Sequence, residues 1–186
     1  IERSTFARTK LERIQMLDVT FGPGTQLDGC LGHQVFVMKT DLRAVSFVGA
    51  TLTQSNLLEC DASGCDFSGA ELGRVGFLRT KLDGARFDDA RLRQAQFLED
   101  TTLRDASLAR VAAEGATFRG AMMHRVKFTA AMLPGVDLSK AVLHQADLRG
   151  ATLRHAMLIR ADFTEATMTH SDALGALMSK AVLVGA

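Results

Sequence analysis

The stretch "AVLHQADLRGATLRHAMLIRADFTEATMTH", residues 141–170, decides the fold. Alanine occurs at every fifth position, and a large apolar residue follows each alanine two positions later, as Leu148 follows Ala146. A helix places apolar residues three and four positions apart, and a strand places them two apart. A period of five suits neither as a continuous element. It predicts a short extended segment followed by a turn, repeated many times.

The same period covers nearly the whole chain. We call the large apolar residue the centre of each repeat. Centres run from Phe6 to Phe21, from Leu27 to Phe97 and from Leu103 to Leu183, which makes 36 pentapeptides with one-residue insertions near Gly24 and Asp100. In an extended segment, residues two apart share a face, so the centre and the small residue two before it should both point inward. The other residues form the turn, where glycine is common.

Phenylalanines recur at every fourth centre. Phe47, Phe67 and Phe87 are 20 residues apart, and Phe77 and Phe97 repeat the pattern in a second series. Because a column of stacked aromatic rings stabilises neighbouring coils, this recurrence predicts a coil of four pentapeptides. The 36 repeats then make about nine four-sided coils.

Several repeats carry a more specific motif: "ADLRG" (146–150), "ADFTE" (161–165), "CDFSG" (65–69) and "VDLSK" (136–140). They resemble the pentapeptide-repeat family, whose motif is A(D/N)LXX. The resemblance implies an all-β fold, a right-handed quadrilateral parallel β-helix, as a single domain over residues 4–185. Since the repeat is already under way at residue 4, we interpret the chain as a fragment of a longer protein.

Composition excludes several classes of function. The net charge is +1, so neither a basic nucleic-acid-binding surface nor an acidic mimic of nucleic acid is indicated. The sequence contains no run of 18 apolar residues, so it predicts no membrane span. Cys30, Cys60 and Cys65 all occupy the small inward position. We expect them to be reduced and buried, which favours a cytoplasmic location.

The sequence predicts no enzyme and no cofactor. It lacks G-x-S-x-G, GxxxxGK[ST] and H-E-x-x-H, and "GPGTQLDG" (22–29) is best read as a bulge at an insertion. His124 and His144 should stack on adjacent coils, where two imidazoles could share a metal ion. We expect no carboxylate beside them to complete a site, so the interpretation as surface histidines is preferred.

One outward position stays apolar through five consecutive coils. The position after the centre, on the third side of each coil, holds Leu17, Met38, Leu58, Leu78 and Leu98 before it becomes Arg119 and Ser139. Phe36, the one phenylalanine that is not a centre, lies on the same side. Contiguous exposed apolar patches often mark contacts. The sequence therefore predicts a partner-binding face, the alternative being leucines that are tolerated or half-buried at a corner.

Two functions remain open at this point. The first is a non-enzymatic interaction or scaffold module that binds a protein partner or a second copy through the apolar side. The family resemblance implies that such a module could belong to a larger bacterial protein, for example a type VI secretion accessory protein. The alternative implied by the resemblance is a DNA-mimicking protein that binds gyrase and confers quinolone resistance, although the family members of that kind are acidic.

Overall fold

The computed structural model describes residues 4–22 and 24–186. Its strands are all three residues long: β1 (Gln15–Leu17), β2 (Leu31–His33), β3 (Phe36–Met38), β4 (Thr51–Thr53), β5 (Asn56–Leu58), β6 (Gly76–Leu78) and β7 (Gln96–Leu98). They form two parallel sheets, one in the order β1-β3-β5-β6-β7 and one pairing β2 with β4. No helix occurs in the described residues, so none is present there that could cross a membrane. The predicted all-β parallel architecture is confirmed.

Single bridges continue the parallel pairing between and beyond the strands. Bridged residues are 20 apart along the chain, as Asp61 and Lys81 are, and 21 apart across each insertion, as Lys81 and Thr102 are. A bridge at every fifth residue and a return after 20 give each coil four sides. One bridged column joins Thr5, Gln26, Ser46, Asp66, Arg86, Ser107, Lys127, Asp147 and Thr167.

We number the sides by their centres in the middle of the molecule. Face 1 carries Phe67, face 2 Leu72, face 3 Phe77 and face 4 Leu82, and all four side chains are fully buried. The interior is filled by centres and small residues from all faces. Stacked rings run along face 1, where Phe67 lies between Phe47 and Phe87, and along face 3. Rings of the two opposite faces meet edge to face, since the centroids of Phe67 and Phe77 are 6.1 Å apart at 76°. The predicted phenylalanine columns are confirmed.

Nearly every turn in the described residues contains a residue in the left-handed region, two positions after the centre. Glycine fills some of these positions, such as Gly69 (φ 66°), but 25 of the described residues with positive φ are not glycine, among them Arg74 (φ 58°) and Ala130 (φ 54°). A side chain in this region costs free energy. The cost is met by bonds between coils. For example, the Arg74 amide donates to the Arg93 carbonyl at 2.9 Å.

The turns are of two kinds, and the kind depends on the residue at the small inward position. Most turns are closed by a backbone bond such as that from the Ala85 amide to the Leu82 carbonyl, 3.0 Å long. After the face 3 strands, a hydroxyl takes part instead. The Val19 amide donates to Thr40 Oγ1, and the Thr80 amide donates to Thr101 Oγ1.

The hydroxyls and one thiol of these open turns form an inner column: Thr40, Cys60, Thr80 and Thr101. Each donates to a carbonyl at the end of the preceding face 3 strand. Thr80 Oγ1 lies 3.1 Å from the Leu78 carbonyl and 3.0 Å from that of Leu57 on the coil below. These turns lack the closing backbone bond at the same position in successive coils. The strands of face 3 therefore pair over three residues, whereas most other segments pair through a single bridged residue. The polar column thus builds the sheet that carries the candidate site.

The interior of the rod has no room for a ligand in its early coils. A small void of about 20 Å³ in these coils is lined mainly by apolar side chains, among them Leu27, Val35 and Leu57. Gly32 is a centre without a side chain. A Cβ placed on Gly32 would come within 2.8 Å of Leu52 Cδ2 and Val35 Cγ2, so neighbouring side chains already occupy most of the vacant space. The remaining void is about the volume that one water needs.

Candidate interaction face

The five-stranded sheet brings the predicted apolar column together. Leu17 pairs with Met38, Met38 with Leu58, Leu58 with Leu78, and Leu78 with Leu98, each time between parallel neighbours. The central residues of the same strands point inward and are buried or partly buried. The column therefore lies on the outer surface of face 3, as its alternation along each strand requires.

The members of this column differ in exposure. Leu17 is 50% exposed, whereas Met38, Leu58, Leu78 and Leu98 are half-buried. Parallel strands lie about 4.8 Å apart, so equivalent side chains on neighbouring coils cover one another. The five side chains therefore form one continuous apolar ridge and not five separate apolar spots. We call this ridge, with Phe36, the apolar column.

Phe36 widens the apolar column on one side. It lies at the start of β3, in register with Gln15 and Asn56, and is half-buried. The same series continues to Gly76, whose missing side chain has a structural reason. A Cβ there would meet Asn56 Oδ1 at 2.5 Å and Leu78 Cδ1 at 3.1 Å. Leu78 thus leans across its own strand over Gly76, a contact that the sequence analysis did not anticipate.

The apolar column ends after β7. The next residue in the series is Arg119, which is exposed and whose Nη1 lies 4.0 Å from Asp137 Oδ2. Ser139 follows and is buried. The apolar stretch therefore coincides with the five coils whose face 3 segments are paired strands.

A column of alternating charge borders the apolar column at the corner that follows it. Its members are Asp18, Lys39, Glu59, Arg79 and Glu99. Arg79 lies between two acidic neighbours, with Nη1 3.3 Å from Glu59 Oε1 and Nη2 2.8 Å from Glu99 Oε2. Lys39 Nζ lies 4.0 Å from Glu59 Oε2. We call this set the charge ladder.

The insertion near Asp100 lies next to the charge ladder. Glu99 and Asp100 both have positive φ and both are exposed. The Arg79 amide donates to the carbonyls of both Leu98 and Glu99, at 3.3 and 3.1 Å. The extra residue thus forms an outward bulge, and the inward residue after it, Thr101, stays buried in its column.

The two histidines lie beside each other on adjacent coils as predicted, with their rings edge to face, but their surroundings differ from the expectation. The ring centroids of His124 and His144 are 5.1 Å apart. We expected no carboxylate beside them; instead, His144 Nε2 lies 2.9 Å from Asp162 Oδ2. The expectation was wrong because Asp162 belongs to the next coil and reaches across from the neighbouring outward column. Burial lowers the pKa of His124 below its usual value, and the nearby His144 and Arg104 lower it further.

Neither histidines nor cysteines form a metal centre in the described part of the chain. No group of three or more His, Cys, Asp or Glu side chains there is placed to hold a metal ion. Cys30, Cys60 and Cys65 are free and buried. Burial raises the pKa of the Cys65 thiol to about 12, and its Sγ lies 2.8 Å from the Leu42 carbonyl. These buried thiols fill small inward positions, and burial disfavours the thiolate form that a nucleophile needs.

The family model for pentapeptide repeats matches this chain in eight copies, over residues 39–74, 98–133, 123–158 and 146–185. No curated protein matches at a significant level. Among solved structures, the chain is similar to HetL, a pentapeptide repeat protein involved in heterocyst differentiation regulation in the cyanobacterium Nostoc. The identity is 24%, the coverage is 98% of this chain and 90% of HetL, and the TM-score is 0.45.

QnrB1, a plasmid-mediated fluoroquinolone resistance protein, is a second structural relative. It is 17% identical, the match covers 95% of this chain and 87% of that one, and the TM-score is 0.52. At this level of identity the likeness concerns the fold alone. The repeated motif, the four-sided parallel coils and the family-model match, which covers more than half of the residues, agree with one another. The chain belongs to the pentapeptide repeat family.

Proposed function

We propose that this protein is a non-enzymatic interaction module that binds a protein partner through the apolar column of face 3. One observation carries the proposal: five outward side chains, from Leu17 to Leu98, stack in register on paired strands. Burial of apolar surface yields roughly 25 cal/mol per Å². A ridge of this kind, bordered by charged residues, has the apolar centre and polar rim that are typical of interfaces.

The finer setting of the module rests on family resemblance. We propose that the rod serves as a scaffold within a larger bacterial protein, such as a type VI secretion accessory protein. Repeat proteins commonly present extended surfaces to partners in this way. The free, buried thiols support a reducing compartment such as the cytoplasm.

The charge distribution favours this function over DNA mimicry. A mimic must present a dense negative field to a basic groove. Here the net charge is +1, and many surface carboxylates are neutralised by arginines. Asp105 Oδ1 lies 2.6 Å from Arg125 Nε, and Asp147 Oδ2 lies 2.6 Å from Arg149 Nη2. This charge balance supports an interaction module over a DNA mimic, because it does not provide the dense negative field that a mimic needs.

The double substitution Leu58→Glu/Leu78→Glu tests the proposal. Both side chains point outward, so the variant should fold, and the charges buried at an interface should abolish association. Met132→Glu is the matched control, because Met132 is a 54% exposed apolar residue on face 2. Association is measured by light scattering at increasing concentration and by pull-down from the host lysate, with circular dichroism as the check on folding.

The outcomes are distinct. Loss of association in the double variant and its retention in Met132→Glu would support the proposal. Unchanged association in the folded double variant would refute it. If the double variant unfolds, Leu58→Ser/Leu78→Ser replaces it, since serine removes the apolar surface without a buried charge.

A further inference from the structure

We propose that the apolar column binds a second copy of this chain, with the two rods antiparallel and the twofold axis between Leu58 and Leu78. This inference rests on the proposed function and names the partner. It is carried by the charge ladder, which alternates in sign from Asp18 to Glu99 along the edge of the column. An alternating column can complement itself, but the sign of each contact depends on how the two copies are aligned.

Rotation about an axis across the rod sets each charge ladder against the ladder of the second copy, running in the opposite direction. If the axis passes through Leu58, all five apolar residues match. The ladders then meet with like charges: Lys39 faces Arg79 of the second copy, and Glu59 faces its own equivalent. Like charges at a rim suppress association, so this alignment is disfavoured.

An axis displaced by half a coil brings unlike charges together. With the axis between Leu58 and Leu78, Glu59 faces Arg79 of the second copy and Lys39 faces Glu99 of the second copy. Each contact occurs twice by symmetry. The apolar residues then pair between the copies: Leu58 faces Leu78 of the second copy, and Met38 faces Leu98 of the second copy. Leu17 is placed over the aliphatic part of Arg119 of the second copy.

The opposite edge of face 3 selects between the two displaced alignments. That corner carries Arg13, Gln34, Gln54, Arg74 and Gln94. An axis between Met38 and Leu58 would set Arg13 against Arg74 of the second copy. The axis between Leu58 and Leu78 instead sets Arg74 against Gln54, and Gln34 against Gln94.

A parallel arrangement of the two rods is disfavoured by the same corner residues. It would place Arg79 against Arg74 of the second copy. The antiparallel alignment with its axis between Leu58 and Leu78 is therefore the one, of the four compared, in which no like charges meet on either edge.

The contact is small. Four coils at about 4.8 Å spacing contribute the paired residues, which puts the interface in the class below about 1,200 Å² that is typical of transient complexes. We therefore expect dimers to form at roughly tens to hundreds of micromolar protein, in fast exchange with monomers. Added salt should weaken the dimer, because the rim charges are exposed to solvent.

Disulfide trapping tests the alignment. Chains with Glu59→Cys and chains with Arg79→Cys are prepared separately, distinguished by mass, mixed and oxidised mildly. The native thiols are buried, so they give little background. We expect the mixed disulfide between residues 59 and 79 to exceed the 59–59 disulfide by about tenfold. Lys127→Cys, on the exposed surface of face 1, gives the level of random collision.

Charge reversal provides an independent measurement. Glu59→Arg and Arg79→Glu should each weaken the dimer by about tenfold, because each places like charges together twice. The double variant Glu59→Arg/Arg79→Glu restores unlike contacts across the axis and should recover most of the affinity. Sedimentation equilibrium gives the dissociation constants.

The outcomes separate this inference from the proposed function. A mixed disulfide above the Lys127→Cys level, together with rescue by the double reversal, supports the antiparallel dimer. A dominant 59–59 disulfide, or trapping no better than the control, overturns it. If trapping fails while Leu58→Glu/Leu78→Glu still abolishes binding to another protein, the proposed function stands and the partner is not a second copy. If the apolar column proves irrelevant to all association, both fail.

Discussion

Phe87 stacks on Phe67, with the two ring centroids 4.9 Å apart and the planes inclined by 10°. The two residues are 20 positions apart, one coil, and both are fully buried. Edge-to-face contacts with Phe77 and Phe97 on the opposite face complete the surroundings of the Phe87 ring. These contacts join two successive coils of the rod through one side chain.

Phe87→Ala should therefore destabilise the protein by roughly 3–5 kcal/mol, as truncation of a large core residue does. The loss should spread along the rod, because each coil depends on its neighbours. Chemical denaturation followed by circular dichroism measures it. Phe36→Ala, which removes a half-buried outward ring, is the control and should cost far less. A cost below about 1 kcal/mol for Phe87→Ala would contradict the stacked core.

Thr101→Val tests the polar column behind face 3. The Thr101 hydroxyl donates to the carbonyls of Leu98 and Phe77, and accepts from the Thr80 amide. Valine keeps the shape and leaves these buried groups without that partner, at a cost of about 1–3 kcal/mol. Thr167→Val is an exposed control and should be nearly neutral. Equal effects at the two sites would show that the hydroxyl does not hold the open turn.

Ala130→Gly should stabilise the protein by about 0.5–1 kcal/mol. Ala130 has φ 54°, a conformation that glycine adopts without the steric cost of a Cβ, and the entropy lost by glycine offsets part of the gain. The thermal midpoint measures the change. Ala112→Gly provides the contrast, because Ala112 pairs with Arg91 and Met132 in an extended segment. This substitution should destabilise the protein by a similar amount. A lower midpoint for Ala130→Gly would count against the turn geometry.

Acid should weaken the fold through Asp162. Hydrogen bonds from the Thr164 hydroxyl and from His144 lower the pKa of Asp162 to about 2, below its ordinary value of 3.8. Because the pKa of Asp162 is lower in the folded protein than in the unfolded chain, its ionised form stabilises the fold at pH values above the unfolded pKa. This contribution is lost as the pH falls from about 4 to about 2. The carboxylate is about one-third exposed, so we expect about 1 kcal/mol after allowance for solvent screening.

Urea unfolding of the wild type and of Asp162→Asn between pH 5 and pH 2 measures this contribution. The asparagine variant should be less stable at pH 5 and should approach the wild type at pH 2. A constant difference across the range would show that the carboxylate charge plays no part.

Purified protein should not inhibit gyrase supercoiling, at any concentration at which it remains folded. The physical reason is the balance of charge, since each carboxylate paired with an arginine subtracts from the field that a DNA mimic needs. The assay compares the protein with an established gyrase inhibitor. Dose-dependent inhibition would overturn the prediction and favour the second function.

The sequence by itself determined the four-sided coil and the contents of its core. A period of five fixes which side chains of each repeat point inward, and the phenylalanines 20 residues apart, such as Phe67 and Phe87, fix the number of sides. The register of the apolar column follows from the same count, since Leu58 and Leu78 are also one coil apart. These features depend on spacing along the chain, which the sequence displays directly.

The tertiary structure alone decided the contacts between columns. The bond between His144 and Asp162 joins residues 18 apart in different columns, and that from Thr101 to the Phe77 carbonyl spans 24 residues. Neither distance is a multiple of the coil length. Such contacts depend on side-chain rotamers and on how each turn orients its carbonyls, which a linear period does not specify. The half-burial of Leu78 arises in the same way. Its rotamer places Cδ1 over Gly76, where the absence of a Cβ leaves room for it.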